Sequence, residues 1–108
     1  MKDMIRSFLV LALGMCLAGS VGFAQSSGAE IFKTHCEVCH GANGIPNPTM
    51  AHLLGVPSVT SPQMKKLTQQ EMVTTVTNGK GKMPAWKGKL TDAQINAVVA
   101  YLRTLTKK

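Results

Sequence analysis

From Gly28 to the C-terminus, apolar residues recur at three- and four-residue spacing in three separate stretches, with turn formers between them. In the first stretch, Gly28, Ile31, Phe32, His35, Cys36 and Cys39 share one side of a helix predicted over Gly28 to Val38, and Ser26 or Ser27 suits its N-cap. The second opens at Thr68 with Glu71 three residues on, a pairing in which each side chain reaches the other's backbone N–H. Met72, Val73 and Val76 give that helix an apolar edge, and Asn78-Gly79 is a fitting stop. Thr91 and Gln94 repeat the start signal for a third helix, whose stripe is Ile95, Val98, Val99, Leu102 and Leu105. Lys107 and Lys108 follow, where the helix dipole favours positive charge.

The connecting segments carry Asn43-Gly44, Pro46, Pro48, Gly55, Pro57, Ser61-Pro62, Gly79, Gly81, Pro84 and Gly88, all turn formers. A short helical turn fits Met50 to Leu54. No segment alternates with the two-residue period of a strand, and no internal repeat is present. The expectation is an all-α domain of three main helices joined by long loops. Loops of that length in so small a domain need something to wrap around.

Residues 1–24 follow a different pattern. Lys2 and Arg6 precede an apolar run from Phe8 through Leu17, and Gly22-Phe23-Ala24 places small residues three before and one before a cut ahead of Gln25. That order of parts is a secretory signal peptide, removed on export to the periplasm or another exported compartment. An uncleaved anchor is the rival, since the weakly apolar stretch from Phe8 to Ala24 is nearly long enough to span, but Gly14, Gly19, Ser20 and Gly22 dilute it. A lipoprotein cut before Cys16 would place Met15 where processing favours a small side chain. Cleavage leaves residues 25–108, a single domain of 84 residues, which at that size needs a staple or a cofactor. Removing Lys2, Arg6 and Asp3 takes the net charge from +7 to +6. Cys16 leaves as well, so Cys36 and Cys39 are the cysteines that remain.

Those two stand in Cys36-Glu37-Val38-Cys39-His40, the C-x-x-C-H pattern of covalent haem attachment. Residues three apart on a helix share a face, so both thiols can meet the two vinyl groups on one porphyrin edge, and His40 follows at once as an iron ligand. A thioredoxin-like pair belongs beside a strand–helix–strand pattern, which is absent. A zinc site would need His35 or His52 as a further ligand. A plain disulfide leaves His40 unexplained.

A sixth ligand would come from Met50, Met64, Met72, Met83, His35 or His52. Met72 lies on a helix edge where packing is the ordinary role. His35 precedes the first cysteine on the same helix and reaches the far face poorly. Met83 is favoured by its setting in Gly79-Lys80-Gly81-Lys82-Met83-Pro84, a loop whose glycines let backbone approach a porphyrin closely and whose Pro84 fixes the chain after the thioether.

From Gly28 to Leu105 the chain resembles the small bacterial and photosynthetic class I cytochromes c. Gly28 and Phe32 look like that family's first-helix contact residues, Tyr101 like their aromatic partner on the last helix, and the segment Asn78 to Trp86 is similar to its axial-methionine loop. The resemblance implies one haem c held by Cys36 and Cys39, with His40 and Met83 on opposite faces of the iron, inside the class I all-α fold. It leaves open whether Pro46 or Pro48 supports the histidine.

With both axial positions filled by protein, the expected role is a diffusible, monomeric one-electron carrier and not an enzyme. A haem protein with a labile sixth ligand and a subunit of a larger oxidoreductase complex are the alternatives. Lys80, Lys82, Lys87 and Lys89 bracket Met83, so acidic redox proteins are the expected partners, unless these are ordinary solvated lysines. Nucleic acid is not expected, since no basic–aromatic binding pattern is present.

Overall fold

The first helical segment is built from three parts in the computed structural model, which describes residues 27–108. The expected signal segment and its junction at Ala24 therefore lie outside the described residues. Ser27 caps the start, its Oγ accepting from the Glu30 N–H at 3.2 Å. Helix α1 (Gly28–Ile31) then passes into a π-helical stretch (Phe32–Cys36) and on into α2 (Glu37–His40). The Glu37 N–H donates to the Phe32 carbonyl five residues back, the signature of a turn holding one extra residue.

That extra residue corrects the regular stripe expected from Gly28 to Val38. It rotates the second half of the segment relative to the first, and the helix continues to His40. Ile31 and Phe32 are buried in the core, while Cys36, Cys39 and His40 are half-buried. His35, which regular spacing assigns to the same side as the cysteines, is exposed.

Helix α3 (Pro48–Leu54) covers the turn expected at Met50 to Leu54 and begins two residues earlier, because Asn47 Oδ1 accepts from the Met50 N–H at 2.8 Å. Helix α4 (Pro62–Lys65) was expected only as a turn. Ser61-Pro62 serves there as N-cap and first helical residue, a role in which proline's missing N–H costs nothing. Helices α5 (Gln69–Asn78) and α6 (Asp92–Thr106) both carry the full reciprocal cap, with Glu71 and Gln94 N–H groups donating to Thr68 and Thr91 hydroxyls at 3.1 Å. Gly79 ends α5 at φ 77°, a conformation a side chain resists.

Packing follows the stripes. Ile95, Val98, Val99 and Leu105 of α6 are buried against Ile31 and Phe32 of the first segment and Met72 and Val76 of α5. Helices α1 and α6 meet at Gly28, where a Cβ would lie 2.1 Å from the Ala97 carbonyl oxygen. Close to that crossing, the Phe32 and Tyr101 rings stand 5.5 Å apart at 58°, a tilted aromatic pair. Between α3 and α4, Val59 is 1% exposed; it donates its N–H to the carbonyl of Gly44, in the loop after α2, at 3.0 Å and fills the space a Cβ on Gly44 would need. The described residues contain no named strand, and no helix among them is long and apolar enough to cross a membrane.

Candidate functional site

The helices and loops enclose a cavity of about 640 Å³ with a mainly apolar lining. Phe32, Cys36, Cys39 and His40 of the first segment line it. So do Met64 of α4, Met72 and Val76 of α5, and Val98, Val99 and Leu102 of α6. Its mouth runs between the stretch from Leu54 to Pro57 and the stretch from Lys80 to Pro84. Val38 is 73% exposed at the same rim, an apolar side chain turned to solvent beside the opening.

Both cysteines are half-buried free thiols. Burial, and then the neighbouring Cys39, push the Cys36 thiol up to about 11. That is the reverse of what a thioredoxin-like nucleophile needs, since such thiols are activated by lowered values. Nor do the described residues contain a group of three or more His, Cys, Asp or Glu side chains placed to hold a metal, which leaves the zinc reading without a ligand set.

Burial holds His40 below the ordinary histidine value, which favours the neutral form of its ring. Its Nδ1 is buried and has no hydrogen-bond partner, alone in this among the side-chain nitrogen and oxygen atoms of the described residues. A neutral imidazole carries the lone pair that metal ligation requires. Immediately after it, Gly41 turns the chain at φ 83°, with the Ile45 carbonyl and Pro46 nitrogen packed where its Cβ would be. Pro46 is thus the proline beside the histidine turn, whereas Pro48 opens α3.

Met83 reaches the cavity from a tight turn. Its N–H donates to the Lys80 carbonyl at 2.9 Å, and the Lys80 N–H returns a bond to the Met83 carbonyl at 3.1 Å. Gly79 must be glycine here, because a Cβ would sit 2.7 Å from the Met83 carbonyl oxygen at an already unfavourable φ. Beyond Pro84, the Trp86 N–H donates to Val76 and the Lys87 N–H to Thr77, which fastens the loop to the end of α5. Trp86 itself lines the cavity, with His35 edge-on at 5.2 Å and Lys89 5.5 Å from its ring.

Of the six candidate sixth ligands, Met64, Met72, Met83 and His35 line the cavity, and Met50 and His52 do not. Met64 and Met72 are 7% and 3% exposed within the core cluster, the setting of packing methionines. Met64 as a cavity wall went unrecognised in the sequence, since α4 that carries it was not foreseen. Lys80 and Lys82 stand at the mouth, and Lys82 Nζ also donates to the Leu53 carbonyl at 2.6 Å. That link joins residues 29 apart, a separation at which no local spacing could suggest it.

Helices wrapped by loops around an apolar cavity, with a C-x-x-C-H segment on one wall and a methionine turn at its mouth, define a small class I c-type cytochrome domain. Comparison with known proteins agrees. The family model described as "Cytochrome C oxidase, cbb3-type, subunit III" matches residues 23–102. The chain is 32% identical over 108 residues to cytochrome c6 of Picosynechococcus sp. (strain ATCC 27264 / PCC 7002 / PR-6), a match covering 94% of this chain and 92% of that protein. It is 35% identical over 86 residues to the cbb3-type cytochrome c oxidase subunit FixP of Bradyrhizobium sp. (strain ORS 278), covering 78% of this chain but only 28% of that subunit. The solved structure of the KustC0563 c-type cytochrome shares the fold with a TM-score of 0.67, over 74% of this chain and 98% of that one, at 24% identity. The chain belongs to the cytochrome c family, and the family implies haem c as its cofactor. The residues present fit such a group: a large apolar cavity would otherwise have to collapse or fill with water, and the unpartnered His40 ring edges it.

Proposed function

We propose that this chain is an electron carrier of the periplasm or another exported compartment, working as a monomer with a single haem c. In this reading Cys36 and Cys39 would hold the haem through thioethers, and His40 and Met83 would ligate its iron. The observation that carries the reading is the convergence of Cys36, Cys39, His40 and Met83 on one apolar cavity in so short a domain.

The bound group would supply a one-electron ferric–ferrous couple. The remaining work falls to the chain. Cys36 closes the π-helical stretch and Cys39 lies in α2, so the two sulfurs are presented from a single continuous helical segment, suited to a planar edge. Neutral His40 needs no proton removed before it ligates, and the Met83 thioether never carries one. A thioether opposite an imidazole favours the reduced state more than two imidazoles do. With His40 and Met83 both holding the iron, no ligand position would remain for a substrate. Those features suit electron transfer and not catalysis. Exposed Lys80, Lys82, Lys87 and Lys89 near the mouth suit an encounter with acidic redox proteins.

A second reading is favoured by the match to cbb3-type oxidase subunits: the same domain would pass electrons within a larger complex. Isolation of the matured protein from its native membrane and soluble fractions separates the two, since a complex subunit would co-purify at high salt. The decisive experiment on the site is mass and visible spectroscopy of the protein matured in a cell competent for haem ligation. A mass equal to bare polypeptide would overturn covalent attachment. Retention of the long-wavelength ferric sulfur-to-iron band in Met83→Ala would overturn the sixth ligand, and rapid carbon monoxide binding to the native ferrous protein would favour a catalytic or gas-binding role.

A further inference from the structure

The two stretches that form the cavity mouth belong to segments far apart in the chain, and Lys82 connects them. Helix α3 ends at Leu54, so the Leu53 carbonyl is among the last carbonyls of the helix, which have no partner within it. Lys82 Nζ donates to that oxygen at 2.6 Å. A cation at this end of a helix also meets the negative pole of its dipole, so the bond is charge-assisted even on the surface. On the other side, Lys82 directly precedes Met83 inside the turn closed by the two Lys80–Met83 backbone bonds. Gly81, at φ 57° with nothing within 4 Å of where its Cβ would be, leaves the outer edge of this turn open to solvent.

The Met83 turn is therefore anchored on one side only by main chain, through Trp86 and Lys87 to the end of α5. On the cavity side its tie is the Lys82 side chain, which spans the mouth to the end of α3. We infer that Lys82 is a positioning residue: its bond to Leu53 straps the Met83 turn across the cavity mouth and sets how readily that turn swings away. This rests on Met83 being the sixth ligand, as proposed above. It adds that the lability of the methionine side is governed from α3 through one lysine, and not by the general positive charge of the loop.

The test compares Lys82→Ala, Lys82→Arg and Lys80→Ala in the haem-loaded protein. Lys80→Ala removes the same charge from the same turn and leaves its backbone pair with Met83 in place. Two readouts are used: the affinity of the ferric protein for added imidazole, followed by loss of the long-wavelength sulfur-to-iron band, and hydrogen exchange at the Met83 amide. Loss of one exposed hydrogen bond should make opening of the turn about two- to fivefold more favourable in Lys82→Ala, raising imidazole affinity and amide exchange together. Lys82→Arg, which keeps a donor of similar reach, and Lys80→Ala should both stay near wild type. Equal effects in Lys82→Ala and Lys80→Ala would reduce the strap to simple charge and overturn it, as would a Lys82→Ala protein that behaves like wild type in both readouts. Amide exchange reports opening of the turn through the Met83–Lys80 backbone bond, a signal separate from the iron's spectrum. A failure of the Met83 assignment, visible in Met83→Ala, is thus distinguishable from a failure of the strap.

Discussion

Adding one methyl group at Gly28 tests the helix crossing on which the domain is built. The glycine occupies the first position of α1, and a Cβ there would lie 2.1 Å from the Ala97 carbonyl oxygen, 2.8 Å from its carbon and 3.0 Å from Tyr101 Cβ. Ordinary contact begins near 3.4 Å, so α1 and α6 would have to separate by more than an ångström. The obstructing atoms are main chain and cannot rotate away. Overpacking of this kind costs about 1–3 kcal/mol. Alanine returns part of that through lower backbone entropy in the unfolded chain, about 0.4–1 kcal/mol. Because main chain blocks the site, the cost lies in the upper half of that range, about 2–3 kcal/mol, and the balance is a net loss of about 1–2.5 kcal/mol. In a domain of this size each kcal/mol moves Tm by roughly 4–8 °C, so Gly28→Ala should melt about 4–20 °C below wild type. Thermal and denaturant unfolding of the haem-loaded protein, followed by far-ultraviolet circular dichroism, measures it. Trimming the neighbour in a Gly28→Ala/Ala97→Gly double variant should give no rescue, because the clash is with the Ala97 backbone. A Gly28→Ala protein as stable as wild type, or rescue by Ala97→Gly, would refute the close crossing.

Phe32→Ala removes a 3% exposed ring that also pairs with Tyr101, and should cost about 3–5 kcal/mol in the same unfolding assay. Thr91→Ala deletes the hydroxyl that accepts from the Gln94 N–H and should cost about 1 kcal/mol, with the visible spectrum unchanged because the cap is remote from the cavity. Electron-transfer rates with an acidic redox partner should fall as salt rises from low to physiological ionic strength, and Lys87→Ala should flatten that dependence; rates indifferent to salt would remove the steering role of the lysines.

Much of this molecule is legible in local spacing because its signals are local. A Thr followed three residues later by Glu or Gln specifies both of its own hydrogen bonds within one turn, and so α5 and α6 begin where Thr68 and Thr91 say they do. The α6 stripe is similarly a property of 3.6-residue periodicity, and Cys36, Cys39 and His40 announce a cofactor by adjacency alone. Helix α4 was missed although its Ser-Pro start is a local signal too, since the same dipeptide also begins turns.

What lay beyond reach depends on partners distant in the chain. Regular periodicity offered no hint of the π-helical turn from Phe32 to Cys36, because one helical segment must both cross α6 and line the cavity with Phe32, Cys36, Cys39 and His40. The selection of Met64, Met72 and Met83 over Met50 as cavity-lining sulfurs, and the bond from Lys82 to Leu53, likewise arise only when loops remote in sequence close around a common volume. Spacing along a chain encodes which face a residue takes on its own helix. Which other face it meets is settled by how all the buried surfaces pack at once, and that sum cannot be read from any one window of residues.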